Sequence, residues 1–128
     1  MQHLHRIVLL VSDQQEALDY FTGKLGFELT EDTWVTPQKR WVVVTPPKST
    51  SPGILLAKAA GPEQESRVGN QTGGKVLVVL HTDDIERDHE RLSKNGVEIV
   101  RGPVSEAWGK VLIFRDLYGN LWDLVQPA

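Results

Sequence analysis

The chain has 128 residues, 40% of them hydrophobic, the size of one ordinary globular domain with enough apolar matter to bury a core. A formal net charge of −3, with both signs interspersed and no basic stripe, argues against nucleic acid and anionic membrane as partners and leaves small molecules and other proteins. With no cysteine, disulfides, thiolate metal sites and cysteine nucleophiles are excluded, so any metal would need His and carboxylate ligands.

The first eleven residues carry one arginine and an apolar run too brief to span a membrane. The run meets Ser12-Asp13 rather than a cleavage site, and so reads as a strand in a cytoplasmic protein. Ser12-Asp13 offers a helix cap, and Glu16 completes a capping-box spacing. Ala17, Leu18, Phe21 and Leu25 recur at helical spacing, Gly26 stops the helix, and Phe27-Glu28-Leu29 resumes a two-residue alternation. Residues 41–45 and 54–57 predict two further strands, joined by a Pro-, Ser- and Thr-rich loop over 46–53.

Residues 61–74, polar and glycine-rich, read as a surface linker with one short helix over 62–68. The opening grammar then returns. Residues 76–80 are apolar, Thr82-Asp83-Asp84 caps, Ile85, His89 and Leu92 mark a helix, Gly96 stops it, and Val97-Glu98-Ile99 is extended. Strands over 111–115 and 121–125 follow, joined by a hairpin connection over 116–120 with Gly-Asn turn chemistry. Asp13 matches Asp84 and Gly26 matches Gly96, with one residue fewer in the second copy. The expected fold class is α+β, with module one over about 1–58, a linker over about 59–74 and module two over about 75–126. A half of about sixty residues is marginal alone, so the two are expected to bury sheet faces jointly, within one chain or by exchange between two.

The segments that carry this pattern are residues 7–13, Tyr20-Phe21, Leu25-Gly26-Phe27, Thr82-Asp83-Asp84-Ile85, Asn95-Gly96-Val97, Trp108-Gly109, Phe114-Arg115-Asp116 and Gly119-Asn120-Leu121-Trp122-Asp123-Leu124-Val125. In order and spacing they resemble the vicinal oxygen chelate superfamily of glyoxalases, bleomycin-resistance proteins and extradiol dioxygenases, over nearly the whole chain. The resemblance implies two βαβββ modules forming a curved-sheet cleft for a small molecule, and a homodimer. It says far less about activity, because a fold hosts many functions.

Metal-dependent members of that superfamily hold an ion with His or Glu from the first and last strands of each module. The resemblance puts the first-strand ligand seven residues before each capping aspartate, where this chain has Arg6 and Leu77. His5 is next to Arg6, but a one-residue shift turns a side chain to the other face of a strand. Residues 54–57 offer no ligand, and Asp123 stands where the family pattern has Glu. One carboxylate falls short of the three protein ligands a catalytic metal needs, so the expected cofactor is none, with a divalent metal only if a site is rebuilt from His5, His81 and Asp123.

Arg6 and Asp123 are expected to form a guanidinium–carboxylate pair where the family holds its ion. The expected ligand-binding residues are Arg6, Trp41, His81, Trp108 and Asp123. Trp122, alternating with Asp123, should be core, and His89 should lie on a solvated helix face. No serine has a visible histidine and carboxylate partner, and no dinucleotide fingerprint or phosphate loop is present. Three functions fit: a metal-independent small-molecule binder of the drug-resistance type, a lyase, isomerase or dioxygenase with a rebuilt metal site, and a regulatory subunit with a vestigial cleft. Whether the protein is an enzyme stays open at this point.

Overall fold

The structure is a computed structural model describing all residues from Met1 to Ala128. It divides into two compact units, Met1–Val68 and Gly69–Ala128. Unit one contains β1 (Arg6–Val11), α1 (Gln14–Gly23), β2 (Glu28–Thr36), β3 (Lys39–Thr45), β4 (Gly53–Lys58) and α2 (Gly61–Arg67). Unit two contains β5 (Val76–His81), α3 (Ile85–Lys94), β6 (Ile99–Glu106), β7 (Gly109–Arg115) and β8 (Leu121–Pro127). Each is a βαβββ module with a four-stranded mixed sheet, ordered β1-β4-β3-β2 in one and β5-β8-β7-β6 in the other. The first strand runs parallel to the last, and the remaining pairs are antiparallel.

The capping aspartates do what their spacing predicts. Asp13 Oδ1 accepts from the Glu16 amide at 2.8 Å, and Asp84 Oδ1 from the Arg87 amide at 3.0 Å, each satisfying a donor that has no partner within its helix. Gly26 and Gly96 follow the two helices with φ of 74° and 76°, a left-handed turn that a side chain would strain. Two elements run longer than their sequence signals. The Phe27-Glu28-Leu29 alternation continues to Thr36, and the extended stretch after Gly96 continues to Glu106. The short linker helix forms one residue earlier than read, and α2 lies against β1.

Each sheet packs one face on its long helix. In unit one Leu9, Val11, Val42, Val44 and Leu56 meet Ala17, Leu18 and Phe21, all buried. In unit two Leu112, Phe114, Trp122 and Leu124 meet Ile85 and Leu92. Trp122 is fully buried, stacks on Phe114 across the β7–β8 ladder at 5.8 Å, and donates its indole N–H to Asp116 Oδ2 at 3.0 Å. Asp116 also accepts from the amides of Tyr118 and Asn120 and from Asn120 Nδ2, each at 3.0 Å, so one buried carboxylate organises the whole β7–β8 turn.

A glutamine ties helix to sheet in both units, from opposite sides. In unit one Gln14 at the start of α1 donates from Nε2 to the carbonyls of Arg40 and Leu56, both at 2.8 Å. In unit two the side chain of Gln126 on β8 accepts from the Ile85 amide at the start of α3, also at 2.8 Å. No helix is long and apolar enough to cross a membrane.

Candidate functional site on the helix-free sheet faces

Strand alternation leaves each sheet a second face, away from its helix. In unit one it carries Arg6, Val8, Gly53, Leu55, Val43, Trp41 and Glu31, as the pairings Arg6↔Gly53, Val8↔Leu55, Val43↔Leu55 and Glu31↔Val43 require. In unit two it carries Val79, His81, Asp123, Val125, Ile113 and Arg115, through Val79↔Asp123, His81↔Val125 and Ile113↔Asp123. Val8 and Val79 are 48% and 59% exposed, although valine is a residue that folding normally buries.

Arg6 lies over Gly53. A Cβ at residue 53 would stand 3.3 Å from Arg6 Cδ and 2.4 Å from Val43 Cγ1, so only glycine admits both neighbours. The guanidinium donates from Nη1 to the His5 carbonyl at 2.9 Å and reaches Glu31 Oε1 from Nη2 at 3.5 Å, while Nε is buried without a hydrogen-bond partner. Within unit one the carboxylate that Arg6 meets is Glu31. Glu31 arrives there through a register shift between Leu29 and Glu31, which puts these two residues on opposite faces of β2. Thr30 Oγ1 donates to the Val43 carbonyl at 3.2 Å across the shift.

Asp123 is surrounded by apolar side chains. Its Oδ1 is buried and has no hydrogen-bond partner, and burial pushes the carboxyl pKa above its usual value. His81 is exposed at the end of β5, diagonal to Asp123 on the same face. His5 is exposed in unit one, with Nδ1 3.4 Å from Arg6 Nη1. No group of three or more His, Asp or Glu side chains comes together in the structure.

The tryptophans differ in setting. Trp41 is half-buried on the helix-free face with Lys39 Nζ 6.0 Å from its ring centre. Trp108 is 56% exposed in the β6–β7 turn, its carbonyl accepting from the Ala128 amide at 3.1 Å. Trp34 is exposed under the Arg40 guanidinium, which also binds Asp32 through two 2.8 Å hydrogen bonds and thereby lowers the Asp32 pKa. Glu31 and Gly53 are the residues that sequence reasoning missed at this face. Gly53, a glycine immediately before an apolar strand, carried the one usable signal.

A sequence profile described as Glyoxalase/Bleomycin resistance protein/Dioxygenase superfamily matches residues 3–124. An uncharacterised protein of Shewanella frigidimarina (strain NCIMB 400) is 49% identical over 126 residues, covering 98% of this chain and 93% of that protein. Among solved structures, UcmS2 superimposes with a TM-score of 0.85 at 30% identity, covering 98% of each chain. TnmS3, described as an antibiotic binding protein from Streptomyces sp. CB03234, does so with a TM-score of 0.82 at 30% identity, covering 100% of this chain and 98% of its own.

Proposed function

The chain belongs to the Glyoxalase/Bleomycin resistance protein/Dioxygenase superfamily, and on that premise we propose that it binds a small, flat organic molecule reversibly on its helix-free sheet faces, without a metal and without reacting with it. The observation that carries this reading is Asp123 Oδ1, a buried acceptor with no partner in an apolar field. An unpaired buried acceptor costs the fold about 1–3 kcal/mol, a cost that a bound donor offsets. Exposed Val8 and Val79, with Trp41 and Trp108, supply apolar and aromatic contact surface of the kind that small-molecule sites use. Arg6 on the face of unit one and His81 on that of unit two add polar contacts. The likeness to TnmS3 supports a drug-type ligand.

The test is a tryptophan-fluorescence titration of the full chain with bleomycin and a panel of polycyclic aromatic antibiotics, with each compound recovered and weighed by mass spectrometry. We expect saturable quenching by at least one compound, recovered unchanged. Conversion of the compound to a product would overturn the reading in favour of an enzyme.

One observation favours a second reading. His81 and Asp123 share a face of the β5–β8 ladder, and these two with His5 are the set from which a metal site could be rebuilt in a lyase, isomerase or dioxygenase. Elemental mass spectrometry of the dialysed protein separates the two, because near-stoichiometric nickel, zinc, iron or manganese is compatible only with the second. We further propose that the protein is cytoplasmic and that it forms a homodimer, the dimer because edge strand β1 leaves Ile7 and Val8 about half exposed. Light scattering should then return twice the 14.3 kDa of one chain.

A further inference from the structure

The environment of Asp123 specifies more than a ligand's size. On β8 its same-face neighbours are Leu121 and Val125, and across the ladders it meets Val79 and Ile113. The charged or titratable side chains on this face of unit two are His81, Arg115, Arg101 and Glu106. Arg115 is committed to Glu98 at 3.0 Å and the Gly119 carbonyl at 3.2 Å, Arg101 faces Glu106 at 3.5 Å, and His81 is exposed at the strand end. None of them hydrogen-bonds the buried Oδ1.

The architecture does not require a carboxylate here. In unit one the same lattice point, between the edge strand and the third strand, is Leu55, flanked by Val8 and Val43 as Asp123 is by Val79 and Ile113. A leucine closes the identical arrangement of strands, so the carboxylate in unit two serves something other than packing.

We propose that Asp123 is the specificity-determining acceptor of the binding site, selecting flat apolar molecules that present a hydrogen-bond donor, a protonated or aryl amine or a hydroxyl, at one edge of the ring system. This rests on the binding reading above and narrows its ligand class. A donor placed against the half-buried Asp123 carboxylate, among apolar neighbours, gives a charge-assisted hydrogen bond that is stronger there than in open water. A ring without a donor displaces water from the same face and leaves the carboxylate unpaired, so it is rejected by the site's own unmet acceptor.

Proflavine and acridine share one tricyclic ring. Proflavine is cationic and carries two amines at neutral pH, whereas acridine is uncharged there and has no donor. Their affinities for the full chain, measured by calorimetric titration at neutral pH, should differ by about tenfold or more in favour of proflavine. D123L should abolish the preference while leaving acridine affinity within about twofold or improved, and D123N, which keeps the shape without the charge, should fall between. Equal binding of the two rings by the wild type, or a preference that survives D123L, would overturn the assignment of Asp123 while leaving the binding function standing. Binding of neither ring would remove both. Circular dichroism confirms folding of each variant, and a D123L chain that failed to fold would show that the scaffold needs the carboxylate, which also overturns the proposal.

Discussion

Units one and two lay down the same strand lattice and furnish it differently. At equivalent points the helix-free face reads Val8, Leu55, Val43 in the first and Val79, Asp123, Ile113 in the second. The turn between the last two strands runs from Pro46 to Pro52 in the first. There, Ser49 and Ser51 bond each other and the Lys48 amide reaches Glu28 at 3.3 Å. In the second it is shorter and organised around buried Asp116. At these three points one unit is wholly apolar and its turn is loosely tied; the other ties its turn firmly and leaves one carboxylate oxygen without a partner. The contrast teaches that the βαβββ framework tolerates either choice, so residues that depart from the apolar solution are the ones to examine for function.

The largest break in that contrast should come from D116A. Removing the acceptor of four hydrogen bonds strands donors that include the fully buried Trp122 indole, and we expect a loss of about 3–4 kcal/mol in urea unfolding, with altered tryptophan emission. G53A is next. Its new methyl would meet Val43 Cγ1 at 2.4 Å, and because valine is branched and this one fully buried, the strain should cost about 1–3 kcal/mol and displace Arg6. No comparable effect is expected from L121A on β8 through steric conflict, since that position already holds a side chain.

D123L makes unit two resemble unit one and should raise stability by about 1–2 kcal/mol at neutral pH. The gain should depend on pH in a defined sense. Burial raises the carboxyl pKa in the folded chain above the usual 3.8, so the native state binds its proton more readily than the unfolded state does. The wild type therefore loses stability as pH rises between the usual value and the raised one. The advantage of D123L should be fullest above that window and fade below it, which melting curves across acid pH would show. The smallest effects should come from D13A and D84A. Each removes one helix cap, at about 1 kcal/mol, and the two should be equal within error if the repeated helices are capped alike.

The fold was legible because its signals are local. Asp13 and Asp84 cap helices three residues away, Gly26 and Gly96 end them, and Trp122 announces its burial by alternating with Asp123. The faces opposite the helices were legible in part: Arg6 and Asp123 fall on them as two-residue alternation says. The contact of Arg6 with Glu31 was not. Counting by twos from Leu29 places Glu31 with the helix-facing residues, and only the register shift between them turns Glu31 toward Arg6. Nothing local in Leu29-Thr30-Glu31 encodes a shift that is pinned from the neighbouring strand. The role of Gly53 was hidden likewise, because it depends on side chains that approach from two other strands.

The glutamine anchors described above act as keys cut for one lock. Gln14 needs the open carbonyls of Arg40 and Leu56, and Gln126 needs the open amide of Ile85. A chimera that set α3 on the first sheet would leave two carbonyls without their donor, and one that set α1 on the second would bring a polar amide to the place of fully buried Ile85. Two halves that share a lattice have thus lost the freedom to exchange parts. A donor-accepting position such as Asp123 can change in one of them without the other having to follow.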